Sequence, residues 1–213
     1  MPGQFIGITV RMPGKDHRDA RNYSMSDSPA NDHLRISVKK EPGNPDGVVS
    51  NYLHSSVSIE DTVLLTIPAG NFVLKDNNKP LVLLSGGVGI TPLLSMYKKA
   101  IKETERPIYF IQCAQNSKVR AFKDEIEGEL NDKVKSVVVY SAPTETDKSE
   151  KNFDYEGFLT KDILEELNIP LDSEFYLCGL KLFMVNAFQI LKDYKVDKDA
   201  VFYEFFGTSE LLN

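Results

Sequence analysis

The chain has 213 residues, 41% hydrophobic and 26% charged, enough for one large or two small domains with a sizeable core. A formal net charge of −6 argues against nucleic acid as a partner, and no apolar run is long enough and free enough of breakers to span a membrane. Residues 1–79 hold 9 basic and 9 acidic side chains and residues 80–213 hold 16 and 22, so an anionic ligand of the second half must rely on local donors rather than on the overall field.

In chain order, Gln4 to Arg11 carries the mixed apolar pattern of a strand, and Pro13-Gly14-Lys15-Asp16 spells a turn. Leu34, Ile36 and Val38 alternate with Arg35, Ser37 and Lys39, which predicts a half-buried strand over Leu34 to Lys40. Residues 41–47, with two prolines and two glycines, read as a loop. Val63 to Ile67 reads as a further strand and Pro68-Ala69-Gly70-Asn71 as a turn. Short antiparallel strands at this spacing predict a small barrel or sandwich.

From Pro80 the pattern changes. Strands at Leu81–Ser85, Ile108–Gln112, Val134–Tyr140, Glu174–Cys178 and Val201–Phe205 alternate with helices at Pro92–Glu103, Arg120–Leu130, Lys161–Leu167 and Lys181–Tyr194, the signature of a parallel α/β sheet. The polar segment Lys75 to Lys79 marks the boundary, and Ser141 to Asp154, rich in charge and without a pattern, reads as a surface loop. Cys113 and Cys178 each end an apolar strand and do not form a disulfide framework. No charged-then-apolar leader precedes Gly3, so the expected location is the cytoplasm.

The chemistry centres on Leu81 to Met96. Five residues without alternation predict a strand buried on both faces, and they end in Gly86-Gly87-Val88-Gly89, a tight turn whose amides are bare of side chains. Thr91 is placed to cap the helix that follows, and Pro92 suits its first turn. Strand, glycine turn and helix N-terminus together suit a phosphate or pyrophosphate. The same glycines also serve a merely sharp strand-to-helix turn, the pattern is not a G-x-G-x-x-G, and no acidic residue ends the next strand.

Earlier in the chain, Arg21-Asn22-Tyr23-Ser24-Met25-Ser26 offers a fixed cation, an aromatic ring and two hydroxyls. Gly47-Val48-Val49-Ser50 offers a glycine and a serine able to cap a short helix at an anion. With the glycine turn, Cys178-Gly179 and Tyr203-Glu204-Phe205-Phe206-Gly207, these motifs in this order resemble the ferredoxin reductase-like family, specifically the reductase half of flavohaemoglobins. The resemblance runs from Pro2 to Gly207.

It implies an antiparallel, Greek-key FAD-binding β-barrel over residues 1–76, incomplete at its N-terminus, followed by a parallel-sheet NAD(P)H-binding α/β domain over residues 77–213. Arg21 would then pair with the FAD pyrophosphate. Tyr23 and Ser24 would contact the isoalloxazine, with Ser26 on the same segment, and Val49 and Ser50 would add contacts to the phosphates and ribityl chain. Gly86, Gly87, Gly89, Thr91 and Pro92 would take the nicotinamide nucleotide, Cys178 and Gly179 its nicotinamide pocket. Glu204 would approach the flavin and Phe206 would cover it. The catalytic set is Tyr23, Ser24, Cys178 and Glu204, and no metal site is read.

The resemblance also implies an NAD(P)H oxidoreductase that passes electrons from NADH, with NADPH left open, through FAD to the haem of a globin domain. That haem domain would carry out nitric oxide dioxygenation and is not part of this sequence; His17, His33 and His54 are surface or structural residues in this reading. After Ile108–Gln112, the run Gln115-Asn116-Ser117-Lys118 presents no carboxylate to repel a 2′-phosphate, and Arg120 is a candidate to bind one. Leu180 stands where the family has proline and Asn71 where it has aspartate, and the chain starts two strands into the family's barrel. A free-standing reductase for another soluble acceptor, and a nucleotide-binding remnant unable to retain FAD, are the alternatives.

Overall fold

The computed structural model describes residues 1–11, 16, 18–41 and 48–206. The turn expected at Pro13 to Lys15, His17, the loop over 42–47 with Gly47, and Gly207 lie outside the described residues. Among the described residues no helix is long and apolar enough to cross a membrane.

The first part of the chain forms an antiparallel sheet of β1 (Phe5–Arg11), β2 (Arg18–Ser24) and β3 (Leu64–Leu65) in the order β2-β1-β3. It is an open sheet among the described residues. Helix α1 (Val48–Ser55) covers it through a small cluster of Ile8, Val10 and Val49, with Tyr23, Ile36, Tyr52 and Leu53 against it. The strand expected over Leu34 to Lys40 does not form: Ile36 makes one isolated bridge to Met25, and Ser26 N donates to Arg35 O. The alternation there marks a half-buried face but supplies no ladder, because no second strand runs alongside it. Val63 to Ile67 contributes only the two residues of β3.

The second sheet is wholly parallel, with β4 (Leu81–Gly86), β5 (Ile108–Ala114), β6 (Val134–Tyr140), β7 (Tyr155–Glu156), β8 (Glu174–Gly179) and β9 (Val201–Phe205) in the order β7-β6-β5-β4-β8-β9. Both faces are covered, which is why Leu81–Ser85 shows no alternation. Leu81 and Leu83 enter the cluster under α2 (Ile90–Glu103), whereas Val82 and Leu84 enter the cluster shared with α5 (Lys161–Glu166) and α6 (Lys181–Asp193). The chain leaves β4 toward β5, β6 and β7, then returns to the other side of β4 as β8. This puts a topological switch between β4 and β8, the position at which open α/β sheets take ligands outside the carboxyl ends of their strands.

Two helices differ from expectation. Arg120–Leu130 is helical only over α3 (Lys123–Glu127). The expected loop Ser141 to Asp154 contains α4 (Glu145–Glu150), which opens with a complete capping box: Thr144 Oγ1 accepts from Asp147 N at 3.1 Å, and Asp147 Oδ2 accepts from Thr144 N at 2.8 Å. The following β7 was likewise not expected.

The two sheets are closely joined. Phe72, from the connection, belongs to the cluster under α2 and lies against Tyr176 with ring centroids 5.9 Å apart. Lys75 N donates to Tyr176 Oη at 2.9 Å, and Lys75 Nζ sits 4.0 Å over the Phe202 ring.

Candidate functional site

A cavity of about 300 Å³ opens between the two sheets. Strand β2 supplies one wall. Arg21 pairs in register with Ile8 and Tyr23 with Ile6, so both side chains lie on a strand anchored by β1. Arg21 is exposed, and Tyr23 is half-buried with its hydroxyl pKa pushed up by burial against the opposing charge of Arg21. The first turn of α1, through Val48, Val49 and Ser50, forms a second wall, so the cavity borders a helix N-terminus. Ser50 lies in the third position of the helix rather than before it, so it is a wall residue and not a cap.

The parallel sheet supplies the rest through Val88, Thr91 and Phe206. Thr91 does not cap α2. The chain enters that helix through a 3₁₀ turn over Gly87–Gly89, Gly89 is the N-cap, and Thr91 Oγ1 donates to Val88 O at 3.2 Å. Pro92 follows in the first turn, buried, where its missing N–H costs nothing.

The glycines serve two purposes. A Cβ on Gly89 would lie 2.2 Å from Cys178 O, one on Gly86 would lie 2.4 Å from the Phe183 ring, and one on Gly179 2.5 Å from the same ring. Gly89 is glycine because the turn abuts the backbone at the end of β8, and Gly86 and Gly179 because the Phe183 ring of α6 packs over both strand ends. Gly87 is different. It has φ +55° and nothing within 4 Å of a built Cβ, so it is the glycine of the turn that opens to solvent.

Ser24 and Glu204 meet here from opposite ends of the chain. Ser24 Oγ donates to Glu204 Oε2 at 3.3 Å across 180 residues. Glu204 pairs in register with Cys178, which places carboxyl, hydroxyl and thiol in one row across β9, β2 and β8. Burial raises the Glu204 carboxyl pKa against the opposing hydrogen bond from Ser24. Burial also pushes the Cys178 thiol well up, with the Glu204 charge adding to it, so Cys178 is a neutral thiol.

Of the expected residues, Arg21, Tyr23, Ser24, Val49, Ser50, Thr91 and Phe206 line the cavity together. Gly86, Gly89, Pro92, Cys178, Gly179 and Glu204 stand behind that lining at the switch point. Ser26 is not on the wall. It is fully buried and braces the wall from behind, its Oγ 2.8 Å from that of Ser37. Sequence reasoning missed Ser37 and Lys39 as lining residues, although their alternation against Ile36 and Val38 puts both on one side. Lys39 Nζ is 3.2 Å from Glu41 Oε1. Arg120 is already engaged: buried, it donates through Nε at 3.0 Å and Nη2 at 2.7 Å to Gln112 Oε1, and through Nη1 at 2.8 Å to Glu127.

The donor set fits a flavin dinucleotide. Arg21 and a helix N-terminus, with Lys39 beside its partner Glu41 on the same wall, suit a pyrophosphate, Tyr23 and Phe206 offer aromatic faces, and Ser24 and Thr91 offer hydroxyls. A parallel sheet with a topological switch point, set against an antiparallel sheet whose wall carries Arg21 and Lys39, makes a two-part fold with a cavity suited to an anionic nucleotide.

Comparison with known proteins agrees. Residues 83–189 match the family model for the oxidoreductase NAD-binding domain. A flavohemoprotein of Bacillus cereus is 43% identical over 218 residues, covering 100% of this chain and 54% of the relative. The solved flavohem-like FAD/NAD-binding domain of nitric oxide dioxygenase from Vibrio cholerae superposes with a TM-score of 0.88 at 34% identity, covering 97% of this chain and 85% of that one. The flavohemoglobin of Malassezia yamatoensis, solved with FAD and heme, shares the fold at a TM-score of 0.79 and 23% identity, over 97% of this chain and 51% of its own. The chain belongs to the oxidoreductase NAD-binding domain family and corresponds to the reductase half of flavohaemoproteins. It spans about half the length of the curated relatives it matches.

Proposed function

We propose that this chain is an FAD-dependent NAD(P)H oxidoreductase that delivers electrons to a haem in a globin domain, as part of a cytoplasmic nitric oxide dioxygenase. The observation that carries the reading is the Ser24–Glu204 contact, which brings the last strand of the parallel sheet to the wall of the cation-lined cavity. Residues 1–76 are assigned to FAD, in a Greek-key barrel of which β1 to β3 form part, and residues 77–213 to the nicotinamide nucleotide. NADH is favoured over NADPH because the Arg120 guanidinium is held by Gln112 and Glu127.

Bound FAD supplies the acceptor for a hydride from the nicotinamide and gives up its electrons singly. The protein binds and aligns. Arg21, with Lys39 and the first turn of α1, would hold the pyrophosphate, while Tyr23 and Phe206 would enclose the ring system. Ser24, whose hydroxyl donates to Glu204 Oε2, would contact the flavin ring, with the Glu204 carboxyl, its pKa raised by burial, beside it. The turn at Gly87 would face the nicotinamide nucleotide, while Thr91, Pro92, Cys178 and Gly179 would bound the nicotinamide side. Close alignment of the two rings is the main contribution, since no protein nucleophile is required.

Titration of the full chain with FAD, followed by the change in flavin fluorescence, tests the assignment. The chain should bind FAD in a one-to-one ratio, and Arg21→Ala should weaken binding by about tenfold or more through loss of a charge-assisted contact. Unchanged affinity in Arg21→Ala would remove this cavity as the FAD site.

A further inference from the structure

Behind the cavity, four charged side chains from both parts of the molecule close into a ring. Lys98 Nζ lies 3.0 Å from Asp27 Oδ1 and 2.6 Å from Glu125 Oε2. Arg35 donates to both oxygens of Glu125 at 3.0 Å and approaches Asp27 Oδ2 at 3.6 Å through Nε. It also donates to Ser26 O and lies over the Phe122 ring at 5.6 Å. Two cations balance two carboxylates, with His33 at the rim, 3.6 Å from Asp27. Lys98 is 9% exposed, so its charge is withdrawn from water and needs both partners. A buried ion pair of this kind is weak evidence for stability, since apolar residues of the same shape often serve as well, and its geometry is better explained as fixing one arrangement.

The placement says which arrangement. Asp27 follows Ser24 and Ser26 on the segment that walls the flavin side. Lys98 stands seven residues after Thr91 on α2, on the same helical face, and Thr91 lines the cavity. Within α2, then, the first turn borders the cavity and Lys98, two turns further on, is tied to Asp27, three residues past the end of the β2 wall.

We propose that Lys98 is a positioning residue for hydride transfer: by bridging Asp27 and Glu125 it fixes the separation between the Thr91 end of α2 and the Tyr23–Ser24 wall, and so the alignment of nicotinamide against flavin. This rests on the oxidoreductase reading. Ring-to-ring transfer depends steeply on alignment, so loss of the bridge acts on the chemical step more than on binding.

The test is anaerobic stopped-flow reduction of the FAD-loaded full chain by NADH, with the dissociation constant for NADH and the isotope effect at the transferred hydrogen measured together. In Lys98→Met, which keeps the stem and removes the charge, the reduction rate constant should fall about tenfold or more, with NADH affinity changed less than about twofold and a larger isotope effect. Lys98→Arg should recover most of the rate. If Lys98→Met does not retain FAD, Asp27→Asn provides the same comparison, and loss of FAD in both would overturn the proposal by making the ring a folding element. A wild-type rate in Lys98→Met, even with a lowered melting temperature, would overturn it as well. Wild-type protein that binds FAD but is not reduced by NADH would instead overturn the oxidoreductase reading itself.

Discussion

At the scale of single residues, the Ser24–Glu204 pair carries the most specific expectation. A carboxyl whose pKa burial raises and a hydroxyl 3.3 Å away are suited to orienting the reacting rings, not to holding the dinucleotide. Glu204→Gln and Ser24→Ala should therefore lower the rate of flavin reduction by about 10²-fold while leaving FAD affinity nearly unchanged, as steady-state and single-turnover assays would read. An effect confined to FAD affinity would contradict this. The sequence brought Arg21, Tyr23, Ser24 and Glu204 forward through the family resemblance that their ordered motifs carry, since alone they read as an ordinary strand; in the structure the first three line one cavity and Glu204 meets Ser24. Ser26 shows the limit: its type suggests a ligand contact, but only the fold turns it away from the cavity and toward Ser37. The glycines show another, since their spacing says that a Cβ is unwelcome without saying whether a ligand or Cys178 O is the reason.

At the scale of elements, the parallel sheet was readable because buried strands and their covering helices impose long, consistent patterns. Strands β6 and β9 fall at their expected bounds. The antiparallel part was harder, since Leu34 to Lys40 has the alternation of a strand but lacks a neighbour, and pairing is a tertiary fact. Helix α4 was missed because its capping box uses Asp147 in place of the usual glutamate or glutamine, inside a stretch whose charge suggested a loop. That box makes Thr144→Ala a clean probe: it should cost roughly 1 kcal/mol of stability by denaturant unfolding and leave FAD binding intact.

A second expectation at this scale concerns acid. Burial acts to raise the Asp27 carboxyl, but hydrogen bonds from Lys98 and Ser28 and the charges of Arg35 and Lys98 prevail, leaving its pKa lowered to about 2. A depressed pKa means that the folded state favours the carboxylate. The stabilisation is fully present above the unfolded value near 4 and is lost as pH falls from there through 2. Asp27→Asn should thus be less stable than wild type at pH 7, by on the order of 2 kcal/mol. The difference should shrink steadily as unfolding is measured from pH 5 downward, and a pH-independent difference would contradict the assignment.

At the scale of the whole molecule, two sheets of different grammar share one site. The parallel sheet brings Val88, Thr91 and Phe206 to it, and the antiparallel part brings the wall with Arg21, Lys39 and Glu41. Phe72 against Tyr176, Lys75 over Phe202, and Lys98 between Asp27 and Glu125 hold them together. The sequence located the change of grammar near Lys75 to Lys79, but Phe72 and Leu74, just before it, pack into the cluster under α2. Polarity marks where a chain crosses between layers and not where the packing changes hands.

The most direct test of the central claim is the visible absorption spectrum of the purified full chain loaded with FAD, before and after NADH is added without oxygen. A protein-bound flavin spectrum that NADH bleaches is expected, with the two nucleotides meeting where the sheets join. Bound flavin that stays oxidised in excess NADH, or flavin that washes away from a correctly folded chain, would contradict it.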